Sequence, residues 1–468
     1  MPGDATPHSQ QGRAMTRNQG FMWSALAVTL MVLCAFGLFF LISAWGGKLI
    51  APPAPPIDAA ASAARASPDI LLHVLIALAA VISVGLVLAK LFAYIGQPPV
   101  IGEVVAGILL GPSLLGPDAS AWILPASAAP TLGVIAQLGV VLYMFIVGLE
   151  LHMEQIRDRA PAVVAIAQTS IVVPFLLGAL LALFLYPRYS NASVPFTSFA
   201  LFIGVATAIT AFPVLARILS DTRLVRTELG SIALSCAATV DVTAWCLLAF
   251  VVGVAKAEIG DGLLVAAGTL AYIAFMVLFV RPVLRRIVMR WKAERLPRGA
   301  VAFVFVALLL SALATESIGI HAIFGAFVLG AVIPGESAVA RTFTRELEPL
   351  VTVLLLPAFF AYTGMRTRID LVAGWEGWLI CGLIVLVATA GKLGGTLLAA
   401  RMTGLGWRQS AALGTLMNTR GLMELIVLNI GLELHIISSE LFAMMIVMAV
   451  VTTMATSPIL RRLVPGAR

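Results

Sequence analysis

Long stretches of apolar residues, separated by short polar segments, run through most of the chain. A helix needs about 20 apolar residues to cross a hydrocarbon core about 30 Å thick. Runs of that kind cover roughly 22–45, 70–95, 98–115, 130–151, 161–186, 195–219, 227–255, 259–281, 299–316, 318–335, 346–364, 374–400, 408–432 and 438–460, fourteen in all. The pattern predicts an all-α polytopic membrane protein. The first run is set apart by residues 48–69, whose Ala51-Pro-Pro-Ala-Pro-Pro56 reads as an extended linker. It is taken as a leader helix, and the thirteen others are counted from residue 70. A signal peptide is the rival reading, because the small residues from Ala59 to Ala66 could host cleavage. The run is longer than the usual 7–15 residues of a signal, which favours a retained anchor.

Composition sharpens the class. Hydrophobic residues make up 60% and charged residues 11%, with a mean hydropathy of +1.03. A soluble domain is about 45–50% apolar and about 25% charged. These values exclude a soluble enzyme, a disordered regulator and a nucleic-acid partner, despite a pI near 9.5. The basic residues are explained by topology. With the N-terminal tail cytoplasmic, 22 Lys and Arg fall on the cytoplasmic side and six on the other, while Lys392 and Arg420 lie inside spans. That asymmetry follows the positive-inside rule and places both termini in the cytoplasm. Cys34, Cys236, Cys246 and Cys381 all sit in apolar runs without metal-site spacing, so they read as small core residues.

Ionisable residues inside spans are few, and a charge near the bilayer centre costs about 2.5–3.5 kcal/mol on insertion scales. They are Glu103 in the second span, Asp241 in the sixth, His321 in the ninth, Lys392 in the eleventh, and Arg420 with Glu424 in the twelfth. Glu103 and His321 sit near span ends and could serve only to satisfy local polar groups. Arg420 and Glu424 are four residues apart, so they share a helical face and can neutralise each other. Asp241 differs. It lies mid-span in Ser235-Cys-Ala-Ala-Thr-Val-Asp-Val-Thr-Ala-Trp245, with no cation within a turn, as a carboxylate that exchanges a proton for a cation would. Lys392, in Ala388-Thr-Ala-Gly-Lys-Leu-Gly-Gly395, has glycines that admit another backbone closely. It is a candidate counter-charge for empty Asp241, with simple snorkelling as the alternative.

Two spans are interrupted. The fifth reads Ala206-Thr-Ala-Ile-Thr-Ala-Phe-Pro-Val214 and the twelfth Gly414-Thr-Leu-Met-Asn-Thr-Arg-Gly421. Pro213 breaks the hydrogen-bond ladder, and Thr207, Thr210, Asn418 and Thr419 can satisfy the freed backbone. Paired broken helices in corresponding halves point to a transporter binding site, and these are seven spans apart, as two inverted repeats would place them.

Four stretches carry a resemblance: Gln97-Pro-Pro-Val-Ile-Gly-Glu-Val-Val-Ala-Gly-Ile-Leu-Leu-Gly-Pro112, Met144-Phe-Ile-Val-Gly-Leu-Glu-Leu151, Thr210-Ala-Phe-Pro-Val-Leu-Ala216 and Asn418-Thr-Arg-Gly-Leu-Met-Glu-Leu425. In that order they resemble the cation:proton antiporter-2 family of sodium/hydrogen exchanger-like proteins, over about residues 70–464. The resemblance implies thirteen core helices in two inverted repeats, a homodimer embedded in membrane lipids, and a six-helix core that moves against a scaffold. It implies that Asp241 takes cation and proton in turn, near Thr239, Thr210 and Asn418. Lys392, Arg420 and Glu424 would be counter-charges or stabilisers, and Thr207, Pro213 and Gly421 would mark the breaks. Many relatives carry a second polar or acidic residue where this chain has Val240, so exchange without net charge movement is expected. A C-terminal regulatory domain is not expected.

The reading is therefore exchange of K⁺ or Na⁺ for H⁺ in the bacterial cytoplasmic membrane, with the cation as substrate and no cofactor. The alternative is a same-fold exporter of an organic or ionophore-bound substrate. An enzyme is disfavoured, since no Ser-nucleophile motif accompanies His321 in the sequence and no HExxH occurs.

Overall fold

A computed structural model describes residues 28–52, 70–150, 160–225, 227–256, 262–291, 296–372 and 374–464. The N-terminal tail before residue 28 and most of the Pro/Ala linker lie outside these ranges. The helices that matter here are α1 (Val28–Gly46), α2 (Ile70–Tyr94), α3 (Pro99–Leu110), α4 (Ala129–Glu150), α5 (Ala160–Tyr189), α6 (Phe196–Ala208), α7 (Phe212–Asp221), α8 (Glu228–Lys256), α9 (Gly262–Phe275), α10 (Arg298–Ile318), α11 (Ala322–Val332), α12 (Ala338–Leu350), α13 (Leu356–Arg366), α14 (Gly374–Met402), α15 (Trp407–Met417), α16 (Leu422–Glu433) and α17 (Ser439–Leu463). Eleven helical stretches among the described residues are long and apolar enough to cross a membrane, and α3 and α11 are shorter apolar helices.

The helices sort into two bundles. One holds α5 to α8 and α14 to α17, and the other holds α2 to α4 with α10 to α13. Within each, glycines let backbones approach closely, the means by which helices associate in lipid. A Cβ on Gly364 would stand 1.9 Å from the Gly107 carbonyl, and one on Gly330 would stand 2.9 Å from the Gly148 Cα. The large apolar side chains left exposed, such as Leu309, Leu313 and Leu386, face outward as lipid-facing residues do.

Prolines shape several spans. The third apolar run stops as a helix at Leu110, because Gly111 precedes Pro112 and takes extended backbone angles. Wide π-turns at Met276–Val280 and Val351–Leu355 each end two residues before a proline, Pro282 and Pro357. The missing proline N–H breaks the regular ladder there, and the wider turn absorbs it. Pro174 and Pro458 lie inside α5 and α17 and leave the Ser170 and Met454 carbonyls without their helical donors. Gln97 Nε2 donates to the Met454 carbonyl at 3.0 Å. The donor at Ser170 belongs to the crossing site.

Candidate cation site at the helix crossing

The fifth and twelfth spans each divide in two. Residues 209–211 separate α6 from α7, and residues 418–421 separate α15 from α16. Pro213 does not sit in the gap itself. It is at the start of α7, where a missing N–H costs nothing because the first turn has no intrahelical acceptor. The two gaps cross and join: Ala211 N–H donates to the Thr419 carbonyl at 2.9 Å, and the Thr210 hydroxyl donates to the Met417 carbonyl at 2.9 Å. Gly421 is required by contact, since a Cβ there would meet Val214 Cγ2 at 2.6 Å.

A broken helix exposes the carbonyls of one half and the N–H groups of the other. The C-terminal end of α6 receives both intramembrane cations. Arg420 Nη1 donates to the Ala206 carbonyl at 2.8 Å and Nη2 to the Thr207 carbonyl at 2.7 Å, while Lys392 Nζ donates to the Ala208 carbonyl. Lys392 Nζ also donates at 2.9 Å to the Ser170 carbonyl, the acceptor that Pro174 left open. Both cations are fully buried. Positive charge at a helix C-terminus is stabilised by up to about 2 kcal/mol in partly buried settings. The end of α15 is closed differently, by hydroxyls: Thr210 on Met417 and Thr419 on Leu416, the latter at 2.8 Å.

Asp241 occupies the complementary position. Its carboxylate feels the Phe212 amide at the start of α7, where the N-terminal end of a half-helix favours an anion. It is 2% exposed and feels the field of Lys392. Lys392 forms no ion pair with it within 4.0 Å among the described residues, its protons being directed to Ser170 and Ala208 instead. Its reach is set by packing: a Cβ on Gly391 would stand 2.8 Å from Pro174 Cα, and one on Gly395 2.9 Å from Val173 Cβ. The lysine thus lies pressed against α5 and does not snorkel.

The remaining residues singled out from the sequence fall into place as follows. Glu424, in the first turn of α16, is fully buried and accepts from Arg420 at 2.9 Å. The Thr207 hydroxyl meets the Pro174 carbonyl at 3.0 Å and locks α6 to α5. Thr239 donates to the Ser235 carbonyl on its own helix at 2.8 Å. Val240 is buried in an apolar cluster with Ala237, Ala211 and Met417. Among the described residues, three of the buried oxygens without a hydrogen bond belong to residues of this crossing and its support: Asn418 Oδ1, Glu424 Oε1 and Ser170 Oγ. Oxygen donors of this kind suit hard cations.

Glu103 lines a cavity of about 260 Å³ with Tyr143, Ala211, Pro213, Arg217 and Thr352. The cavity reaches the first turn of α7, whose Phe212 amide Asp241 feels. Tyr143 is within electrostatic reach of both Glu103 and Asp241. Three participants were not singled out from the sequence: the Phe212 amide, the Ser170 carbonyl and Thr453. The Thr453 hydroxyl both accepts from Arg420 N and donates to Arg420 O, each at 2.8 Å. Pro174 four residues after Ser170 was the available signal for that carbonyl.

Crossed, charge-compensated half-helices inside one bundle, packed against a second, are an arrangement that secondary transporters use. The transmembrane sodium/hydrogen exchanger family model matches residues 74–464, and the chain belongs to that family. It is 41% identical over 402 residues to the Na⁺/H⁺ antiporter NhaS4 of Synechocystis sp., covering 85% of this chain and 98% of that protein. Cation/H⁺ antiporter 20 of Arabidopsis thaliana is 39% identical over 83% of this chain, and K⁺/H⁺ antiporter 1 of Saccharomyces cerevisiae is 32% identical over 80%. The chain spans about half the length of those two, 48% and 44% respectively. The structure of the sodium proton antiporter MjNhaP1 of Methanocaldococcus jannaschii matches with a TM-score of 0.64 at 14% identity, over 84% of this chain and 96% of that one, a likeness of fold. These relatives are transporters, not enzymes.

Proposed function

We propose that the chain is a secondary antiporter that exchanges K⁺ or Na⁺ for H⁺, with Asp241 binding cation and proton in turn. The observation that carries this is one buried carboxylate at a helix crossing whose other charges are already committed. Lys392 and Arg420 are held by the carbonyls that end α6, and Glu424 is held by Arg420. Asp241 has no ion pair among the described residues, so its charge can be met either by a proton or by a cation. Asn418 Oδ1 and the Thr210 oxygen, both at the crossing, are the groups best suited to complete a cation's shell.

In this reading the crossed-helix bundle moves against the other, in thirteen core spans arranged as two inverted repeats, and the protein is a homodimer. The arginine-rich face is cytoplasmic, and the cavity beside Glu103 is the inner approach to Asp241. Exchange is electroneutral: Val240 supplies no second ionisable group, and the Lys392 ammonium keeps carbonyl partners whatever occupies Asp241. The test is reconstitution into proteoliposomes with an internal pH dye and alternating K⁺, Na⁺ and Li⁺ pulses. Wild-type protein should move protons against K⁺ or Na⁺, and Asp241→Asn should not. Absence of any cation-dependent flux in folded wild-type protein would overturn the proposal in favour of another substrate.

A further inference from the structure

The two bundles meet differently at their two ends. Toward the arginine-rich face they are parted by the cavity of about 260 Å³ between α3, α4 and α7. Toward the opposite face the corresponding space shrinks to about 20 Å³, room for about one water. Its walls include Gln137, His321, Tyr362, Asn429 and Glu433. Here α16 of the crossed-helix bundle is tied to α13 of the other bundle by polar side chains. Asn429 Nδ2 donates to Thr363 Oγ1 at 2.9 Å. Arg366 Nη1 meets Glu433 Oε1 at 3.1 Å, and its guanidinium lies over the Tyr362 ring at 4.8 Å.

We infer that Thr363–Asn429 and Arg366–Glu433 are a latch: positioning residues that close the outer path to Asp241 and separate once in each exchange cycle. The inference rests on the alternating-access reading above. The chemistry fits a contact that must reopen. A fully apolar seam would have to expose its whole face to water, whereas these groups trade protein partners for water ones at small net cost. The Arg366–Glu433 side chains are already about a quarter exposed, at 27% and 25%, so water reaches them without disruption of the core. Asn429 Oδ1 is buried without a hydrogen bond, an acceptor ready for water when the seam parts.

The test uses full-length protein in proteoliposomes, with Cys34, Cys236, Cys246 and Cys381 replaced. Thr363→Cys with Asn429→Cys should be bridged by Hg²⁺, with flux falling at least about tenfold and returning on addition of dithiothreitol. The second measurement does not depend on transport. A Gln137→Cys reporter in the small cavity is labelled with a membrane-impermeant maleimide from the outer side. Glu433→Gln combined with Asn429→Leu should raise its labelling rate about tenfold, the factor expected from one lost ion pair and one lost hydrogen bond. Full flux through the bridged pair, or a labelling rate unchanged by the latch variants, would overturn the latch. Absence of cation-driven flux in wild-type protein would count against the antiport reading, and the labelling rates would then decide the latch alone.

Discussion

Removing the Arg420 guanidinium tests whether the crossing is held by its charges. Arg420→Met leaves Glu424 fully buried without its partner and leaves the Ala206 and Thr207 carbonyls unmet. Breaking a buried pair from one side costs about 3–5 kcal/mol, and the stranded carbonyls add to that where water cannot reach them. Glu424→Gln is the milder change, because Arg420 keeps both carbonyls, and a loss of about 1–3 kcal/mol is expected. Combining the two removes the uncompensated charge. The double variant should therefore be more stable than the sum of the singles by at least about 1 kcal/mol, within the usual range for residues in contact. The assay is reversible unfolding in mixed micelles, followed by helix signal, on all four proteins. Additive losses would refute the argument that Arg420 and Glu424 act as one unit at the break.

Several further outcomes are expected. Lys392→Ala, Lys392→Gln and Lys392→Met should all lower thermal stability, measured by size-exclusion chromatography after heating, because the Ser170 and Ala208 carbonyls lose their donor. Wild-type melting in all three would show that the ammonium holds nothing. Gly391→Val should destabilise the fold by about 1–3 kcal/mol or more, as overpacking against Pro174 at 2.8 Å requires backbone movement; Gly394→Ala, with open space at that position, should be tolerated in the same melting assay. Proton flux should not respond to a valinomycin-clamped membrane potential. One unbalanced charge would couple by about 2.3 kcal/mol per 100 mV, so a clear dependence would contradict one-for-one exchange and implicate Lys392.

Much of this site is legible in the sequence because a bilayer makes polar residues conspicuous. Asp241, Lys392, Arg420 and Glu424 stand out against apolar spans, and the polar gaps around Thr210 and Asn418 mark where the helices part. The roles of the charges are less legible. Lys392 reads from sequence as a counter-ion for Asp241, yet its hydrogen bonds go to Ser170 and Ala208. Backbone acceptors have no side-chain signature, and only the Pro174 offset betrays Ser170. Arg420 and Glu424 read as a neutralising pair four residues apart. The structure places Arg420 additionally on two carbonyls 213 and 214 positions away, a partner set that depends on how the half-helices cross. The polar seam at Asn429 and Glu433 was invisible for a plainer reason: its residues lie at helix ends, where polar side chains are ordinary.

The central claim is that cation and proton compete for one carboxylate. The most direct measurement is proton release on cation binding to purified protein, by calorimetry in two buffers of different ionisation enthalpy at mildly acidic pH. Wild-type protein should release up to about one proton per bound K⁺ or Na⁺, and Asp241→Asn should release none. Cation binding whose heat does not depend on the buffer, or proton release that persists in Asp241→Asn, would contradict the account.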